Sequence, residues 1–270
     1  TQEDSTCYYA RVPAERQAEM LDILIEMLTQ PRFAADDLER ERQVIAEEIV
    51  MYRDQPAHRA EDLLLESLWP NHPLGRTVAG TEAALARMTR PVVRSFWQRV
   101  YQPANLVIGL AGAVDRAAAE RLVRRRLGGR PGGPVAQARP ALLRRAQRAF
   151  VCEGRETDQC HLSLGYRCFG RHDRRRYALR LLSVLAGETA SSRLFQTVRE
   201  DRGWAYSVAS QVHLFEETGF FGVEAGLETR RAPAAIRLMV RELGRLAARG
   251  PAAAELQRAR DYAIGQMRLG

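Results

Sequence analysis

Hydrophobic residues recur every three or four positions in two stretches near the start of the chain, the spacing of one face of a helix. The first predicted helix runs from Pro13 to about Thr29. The second has Asp36 as its N-cap, Glu39 as the reciprocal partner of that cap, and Pro56 as its stop. The pattern thus predicts two consecutive amphipathic helices.

Short apolar runs, several of them alternating with polar residues, predict strands in both halves of the chain. The predicted strands are residues 6–12, 105–113, 149–153, 158–167, 204–212 and 217–226. In the second half, helices are predicted at residues 174–186, 190–200, 231–248 and 252–268. That half therefore shows a hairpin, helices, a second hairpin and further helices, whereas the first half shows only the later part of this order.

This repeated order predicts an α+β fold of two related units, each with a mainly antiparallel sheet and packed helices. Residues 1–130 are predicted to be the first unit, without its N-terminal part. Residues 131–147 are rich in Gly, Pro, Ala and Arg, which is typical of an interdomain linker. Residues 148–270 are predicted to be the second unit, which lacks its C-terminal end.

The composition is that of a globular protein, with 270 residues, 46% hydrophobic and 27% charged. The net charge is +8, but the 41 basic residues are all arginines that intermix with 33 acids, so nucleic-acid binding is not predicted. The four cysteines form no C-x-x-C pair and are expected to be small core residues or free thiols. The sequence does not fix the compartment, and the cytoplasm is favoured over the periplasm. No apolar run is long enough to span a membrane.

Two acidic residues on the second predicted helix are the first candidates for chemistry. Glu41 and Glu48 lie seven positions apart, so two turns bring them to the face that also carries Leu38, Val44 and Ile45. Carboxylates on an apolar face need a metal ion or a shared proton if they are buried. Alternatively both flank the apolar face and reach water, which is the ordinary outcome for acidic side chains.

The segment around Arg199 and Tyr206 is the second candidate. Arg199 is predicted to end a helix, Gly203 to adopt the positive φ of its C-cap, and Tyr206 to enter a strand. A guanidinium and a phenol can donate hydrogen bonds to a carbonyl oxygen that gains charge. Alternatively, Arg199 complements the helix dipole and Tyr206 is a buried strand residue.

Both segments resemble the insulinase/pitrilysin family of zinc metallopeptidases, in its bacterial processing-peptidase-like branch. Residues 41–48 read Glu-Arg-Gln-Val-Ile-Ala-Glu-Glu, similar to the family pattern E-R-x-V-I-x-x-E. Residues 191–207 are similar to S-S-R-L-F-x-x-x-R-E-x-x-G-L-A-Y-S, with Trp204 in place of the usual Leu. The resemblance implies that Glu48 is a zinc ligand, Glu41 a supporting acid, and Arg199 and Tyr206 contacts to the substrate backbone.

The family's other zinc ligands belong to an inverted zincin motif, H-x-x-E-H, whose Glu is the general base. The chain does not contain this motif: none of its five histidines has that spacing. The family spacing would place the second His about 28 residues before Thr1. The resemblance therefore implies a fragment that lacks H-x-x-E-H and is inactive alone.

For the intact protein, the resemblance implies a zinc-dependent endopeptidase that acts on peptides or unfolded protein segments. Its partners would be the peptide substrate and a second copy or a related subunit, as a homodimer or a heterodimer. The alternative is a non-catalytic partner or scaffold subunit of the same family. The presence of Glu41, Glu48, Arg199 and Tyr206 together favours the enzyme.

Overall fold

A computed structural model describes residues 1–130, 132–133, 135, 141 and 149–269. The chain divides by its contacts into one unit of Thr1–Val50 and Val78–Arg139 and another of Met51–Thr77 and Pro140–Gly270. The predicted linker falls mostly outside the described residues, and the predicted boundary there stays a prediction. The contacts add that residues 51–77 group with the second half of the chain.

Helices account for most of the regular structure that is described. They are α1 (Gln17–Thr29), α2 (Ala35–Asp54), α3 (Pro56–Leu68), α4 (Glu82–Leu85), α5 (Arg90–Val100), α6 (Arg116–Leu127), α7 (Arg176–Ser183), α8 (Ala232–Arg249) and α9 (Ala253–Leu269). Two segments, Val184–Glu188 and Phe195–Glu200, are π-helical. Among the described helices, none is both long and apolar enough to cross a membrane.

The first unit is built from helices in the part that the structure describes. Its core lies between α1 and α6, where Leu21 and Ile25 pack against Ala119 and Leu122. Trp97 links α5 to α1, because its indole N–H donates to the Leu28 backbone oxygen at 2.8 Å. The apolar face predicted for the first helix is therefore buried against α6.

The N-cap predicted for α2 is wrong. The helix begins at Ala35, so Asp36 lies inside its first turn, where an acid still complements the helix dipole. Glu39 accepts a hydrogen bond from Arg42 at 2.8 Å, so its carboxylate pairs along the helix with the residue three positions on. The predicted end is confirmed, since α2 stops at Asp54 and Pro56 starts α3.

Three predicted strands do not form in the described residues. Residues 6–12, 106–113 and 149–153 are irregular, Asn105 ends a 3-10 helix, and Val107 is 98% exposed. A strand is stabilised by ladder hydrogen bonds to a neighbour, and none of these segments pairs with another strand in the described part of the chain. The antiparallel sheet expected in the first unit is therefore not seen there.

The second unit contains a three-stranded antiparallel sheet with the order β1-β3-β2. Its strands are β1 (Cys160–Phe169), β2 (Ala205–Leu214) and β3 (Thr218–Leu227). These lie within a few residues of the strands predicted at 158–167, 204–212 and 217–226. The mixed helix and antiparallel-sheet class is thus confirmed.

Helices cover both faces of β3, which is why this strand is buried almost throughout. On one face Phe221, Val223 and Leu227 pack against α8 and the π-helical segment near Val198. On the other face Phe220 packs edge-on against Trp69, the residue that follows α3, with 6.0 Å between ring centroids.

The four cysteines are free thiols in the structure. Cys7 and Cys152 are exposed, whereas Cys160 and Cys168 are half-buried in β1. Burial raises the pKa of the Cys168 thiol to about 11, so this thiol stays protonated at neutral pH and is a poor nucleophile.

Candidate functional site

Glu41 and Glu48 both lie on α2, and both side chains are exposed. Val44, between them on the same face, is 51% exposed, so this face of α2 is not buried in the described structure. The alternative in which the two carboxylates reach water therefore describes the observed arrangement. Neither carboxylate has a hydrogen-bond or ion-pair partner among the described residues, so both can accept a ligand.

A zinc ion needs more ligands than these residues supply. Catalytic zinc sites use three protein ligands, and carboxylate, imidazole and thiolate are the usual groups. The described residues contain no group of three His, Cys, Asp or Glu side chains able to hold a metal ion. The described residues therefore do not fit a zinc ion on their own, and Glu48 could serve only as one ligand among others.

The backbone that carries Arg199 departs from a regular α-helix. Phe195–Glu200 is π-helical, and the Asp201 N–H donates to the Gln196 oxygen at 2.8 Å, five residues back. Such widened turns are frequent at functional sites. Gly203 ends the turn with φ +63°, and its N–H donates to the Arg199 oxygen at 2.9 Å. This confirms the C-cap predicted at Gly203.

The Arg199 side chain is displayed at the surface of the second unit. Its guanidinium lies over the Phe195 ring, 4.6 Å from the ring centroid. The side chain is 42% exposed, and its nearest acid, Glu200, is 3.9 Å away, beyond hydrogen-bond length. The N–H groups of Arg199 are therefore available to an acceptor outside the described residues.

Tyr206 sits in a β-bulge at the start of β2. Ala205 pairs with Leu227 and Ser207 with Gly226, which leaves Tyr206 as the extra residue. The bulge is closed by a hydrogen bond from the Gly226 N–H to the Ser207 hydroxyl, at 3.3 Å. Tyr206 is 64% exposed, so the alternative of a buried strand tyrosine does not apply. Bulges commonly re-aim a side chain next to a functional site.

The four candidates are distributed over both units. Glu41 and Glu48 belong to the first unit, and Arg199 and Tyr206 belong to the second. Arg199 and Tyr206 lie in one local segment, because the turn at Gly203 connects the π-helical residues to β2. Within the first unit, two turns of α2 separate Glu41 from Glu48.

Sequence reasoning missed Phe195 as the neighbour of Arg199. The two residues are four positions apart, and that spacing brings side chains together on a helix. It also missed a half-buried polar network in which the Gln211 amide donates to Glu224 and lies 3.5 Å from Glu61 of α3. Burial and the charge of Glu61 raise the pKa of the Glu224 carboxyl. No local signal reveals this network, because Glu61 lies on α3 while Gln211 and Glu224 lie on two neighbouring strands, and these elements meet only in the folded unit.

Two family models match the chain. The model described as insulinase (peptidase family M16) matches residues 1–82, and the model described as peptidase M16 inactive domain matches residues 87–262. Uncharacterized zinc proteases of Mycobacterium tuberculosis and Streptomyces coelicolor are each 36% identical over the whole of this chain. The chain spans 62% and 60% of their respective lengths.

Solved structures share the fold. A protease from Helicobacter pylori aligns with a TM-score of 0.85 at 20% identity, covering 95% of this chain and 63% of that one. A peptidase M16 inactive domain from Pseudomonas fluorescens aligns with a TM-score of 0.81 at 22% identity, covering 93% of this chain and 61% of that one. A chain of complex III2 from Candida albicans aligns with a TM-score of 0.74 at 13% identity, covering 95% of this chain and 63% of that one.

Proposed function

Because the chain belongs to the insulinase family of peptidases, peptidase family M16, we propose that it is part of a zinc-dependent endopeptidase. The proposed substrates are peptides or unfolded protein segments. The observation that carries the proposal is the exposure of two donor side chains, Arg199 on a π-helical turn and Tyr206 in the β-bulge that follows it. The presence of Glu48 on an exposed helix face supports it.

The proposed cofactor is Zn²⁺, with Glu48 as one ligand and Glu41 as a supporting acid. Since the described residues do not fit the ion alone, we propose that the other ligands come from an H-x-x-E-H motif outside residues 1–270. Zinc proteases that are longer than this chain and 36% identical to it support this proposal. The 270-residue chain alone is proposed to be inactive.

Arg199 and Tyr206 are the residues of this chain proposed to act on the substrate. The guanidinium presents several N–H donors in one plane, and the phenol presents one O–H donor. Donors aimed at a peptide carbonyl oxygen stabilise it most when it gains negative charge during attack on the carbonyl carbon. Their exposed positions suit contact with an extended peptide backbone.

Two substitutions test these roles in the protein extended to the length of its relatives. Glu48→Gln removes an anionic ligand, so zinc and activity should be lost together. Tyr206→Phe removes only a donor, so zinc should remain while turnover falls by about 10²–10³. Metal content by mass spectrometry and cleavage of a quenched fluorescent peptide separate the two outcomes.

A matched control is Tyr177→Phe, at another exposed tyrosine of the second unit. It should change neither metal content nor turnover. Full activity of Tyr206→Phe, or loss of zinc from it, would show that the role assigned to Tyr206 is wrong. Activity of Glu48→Gln with zinc retained would remove Glu48 from the metal site.

A second candidate function is a non-catalytic partner or scaffold subunit. The model that matches residues 87–262 is described as an inactive domain, and the fold also occurs in complex III2 of Candida albicans. This candidate predicts that the extended protein binds no zinc, cleaves no peptide and co-purifies with a related subunit. Zinc-dependent cleavage by the extended protein on its own would exclude it.

A further inference from the structure

We infer that Phe195 is a positioning residue, which holds the Arg199 guanidinium in the orientation needed to bind a substrate carbonyl. The inference rests on the proposed function, in which Arg199 contacts the substrate. The contact itself is a feature of the structure: the guanidinium carbon lies 4.6 Å from the Phe195 ring centroid. This distance is within the range of a cation–π interaction.

The Phe195 ring is itself fixed by the core of the second unit. Its neighbours Leu194 and Val198 are fully buried, and Phe195 packs against the same hydrophobic cluster while staying half-exposed. One face of the ring can therefore be held by the core while another part meets Arg199. A flexible arginine at the surface loses less conformational entropy on binding when its orientation is set beforehand.

The kind of contact decides what Arg199 can still do. Stacking on an aromatic face leaves the N–H donors, which lie in the guanidinium plane, free for an acceptor. A carboxylate partner would occupy them. Arg193, six residues earlier, shows this second case, because its guanidinium donates to Glu255 at 2.7 and 2.8 Å. Arg193 is thus tied into the structure, whereas Arg199 is oriented with its donors free.

The geometry can be tested on the 270-residue chain without any activity. The Nε–H proton of Arg199 should be shielded by the Phe195 ring, and Phe195→Leu should remove this shift in a ¹⁵N-edited NMR spectrum. Phe195→Tyr keeps the ring face and should preserve the shift. Arg230→Gln, at another exposed arginine of the same unit, serves as the control and should leave the Arg199 signal unchanged.

The consequence is tested in the protein extended to the length of its relatives, by a double-mutant cycle. Phe195→Leu should lower kcat/KM by roughly two- to five-fold, the range that an exposed cation–π contact supplies. In an Arg199→Gln background the same substitution should have no further effect, because there is no guanidinium left to position. Phe195→Tyr keeps the aromatic ring and should leave kcat/KM at the wild-type value.

An equal loss from Phe195→Leu in both backgrounds would make Phe195 merely structural and overturn the inference. The inference would also be overturned if the Arg199 Nε–H signal in the wild-type chain showed no shift from the ring. It would be overturned as well if Arg199→Gln lowered activity while Phe195→Leu left it unchanged. Failure of the proposed function looks different: Arg199→Gln would be as active as wild type, or no variant would cleave peptide. A urea-unfolding midpoint for Phe195→Leu checks that its fold is intact.

Discussion

Gly203 connects the π-helical segment that carries Arg199 to β2, and it does so through its backbone conformation alone. Its φ of +63° is a conformation that residues with a Cβ rarely adopt, yet an added Cβ would meet nothing within 4 Å. Gly203→Ala should therefore lower the free energy of unfolding by roughly 1–2 kcal/mol through backbone strain alone. Urea unfolding followed by circular dichroism measures the change.

Gly244 provides the matched control for this prediction. It lies inside α8, has no positive φ, and an added Cβ there also meets nothing within 4 Å. Gly244→Ala should raise the free energy of unfolding by about 1 kcal/mol, because Ala is the better helix former. If both substitutions shift stability in the same direction, the cap conformation assigned to Gly203 is incorrect.

The Glu224 carboxyl makes stability depend on pH. Burial first, and then the charge of Glu61, raise its pKa above the ordinary value of 4.5. The folded state therefore holds the proton more tightly than the unfolded state, and this stabilisation is lost as pH rises through the raised pKa. Glu224→Gln should unfold at a higher temperature than wild type at pH 7, and the difference should shrink towards zero below pH 4.5.

Calorimetry from pH 4 to pH 8 checks this dependence. Glu156→Gln, at an exposed carboxylate of the same unit, is the matched control. A destabilised Glu224→Gln at neutral pH would mean that the hydrogen bond from Gln211 outweighs the burial of the charge.

At this scale the sequence predicted residues whose roles are local. Gly203 as a C-cap follows from a glycine after a helical pattern, and its positive φ confirms it. The contact between Gln211 and Glu224 could not be predicted from the sequence, because the two residues lie on different strands. Only the register of those strands brings them together.

At the scale of elements, α3 packs against β1 at a glycine. A Cβ on Gly165 would lie 2.8 Å from a methyl carbon of Leu64. Gly165→Ala can be absorbed by a change in the Leu64 rotamer, but Gly165→Val adds two more methyl groups and should push α3 away. Amide hydrogen exchange across residues 56–68 should then become faster by about ten-fold, which corresponds to a loss of about 1.4 kcal/mol of local stability.

A compensating variant makes this prediction specific. Gly165→Val combined with Leu64→Ala restores the space and should return exchange in α3 towards the wild-type rate. Gly154→Val is a control in the same unit, because a Cβ there meets nothing within 4 Å. Unchanged exchange in Gly165→Val alone would contradict the close approach of α3 to β1.

A helix or strand was predictable from its hydrophobic pattern where the element that it packs against or pairs with lies in the same unit. The three strands of the second unit and helices α8 and α9 were predicted within a few residues, because each buries an apolar face against the others. The segment 105–113 has an equally strong apolar run but no partner strand in the described residues. Periodicity indicates the capacity to form a strand, whereas pairing decides whether one forms.

Irregularities within elements escaped prediction for a different reason. The π-helical turn at Phe195–Glu200 and the bulge at Tyr206 each insert one residue into a regular pattern. Hydrophobic spacing averages over such an insertion, so the sequence shows a helix followed by a strand. These two departures orient the side chains of Arg199 and Tyr206, and so the fine geometry of the candidate site was not predictable.

At the scale of the whole molecule, the family could be recognised from two short motifs placed in the right order. The matching family models then extend over residues 1–82 and 87–262. Residues 51–77 show the limit of this reasoning, since they group by contacts with the second half of the chain. Sequence order alone cannot reveal which unit a connecting helix such as α3 packs against.

The 270-residue chain taken as a whole should not bind zinc tightly. Catalytic zinc needs three protein ligands, and the described residues offer no such group, with Glu48 as the single proposed ligand. One carboxylate in water competes poorly for the ion, so purified chain dialysed against zinc should retain far less than one equivalent. Protein extended to the length of its relatives should retain one equivalent and lose it in Glu48→Gln. Stoichiometric tight zinc on the 270-residue chain would refute this, and would mean that ligands outside α2 assemble a site by themselves.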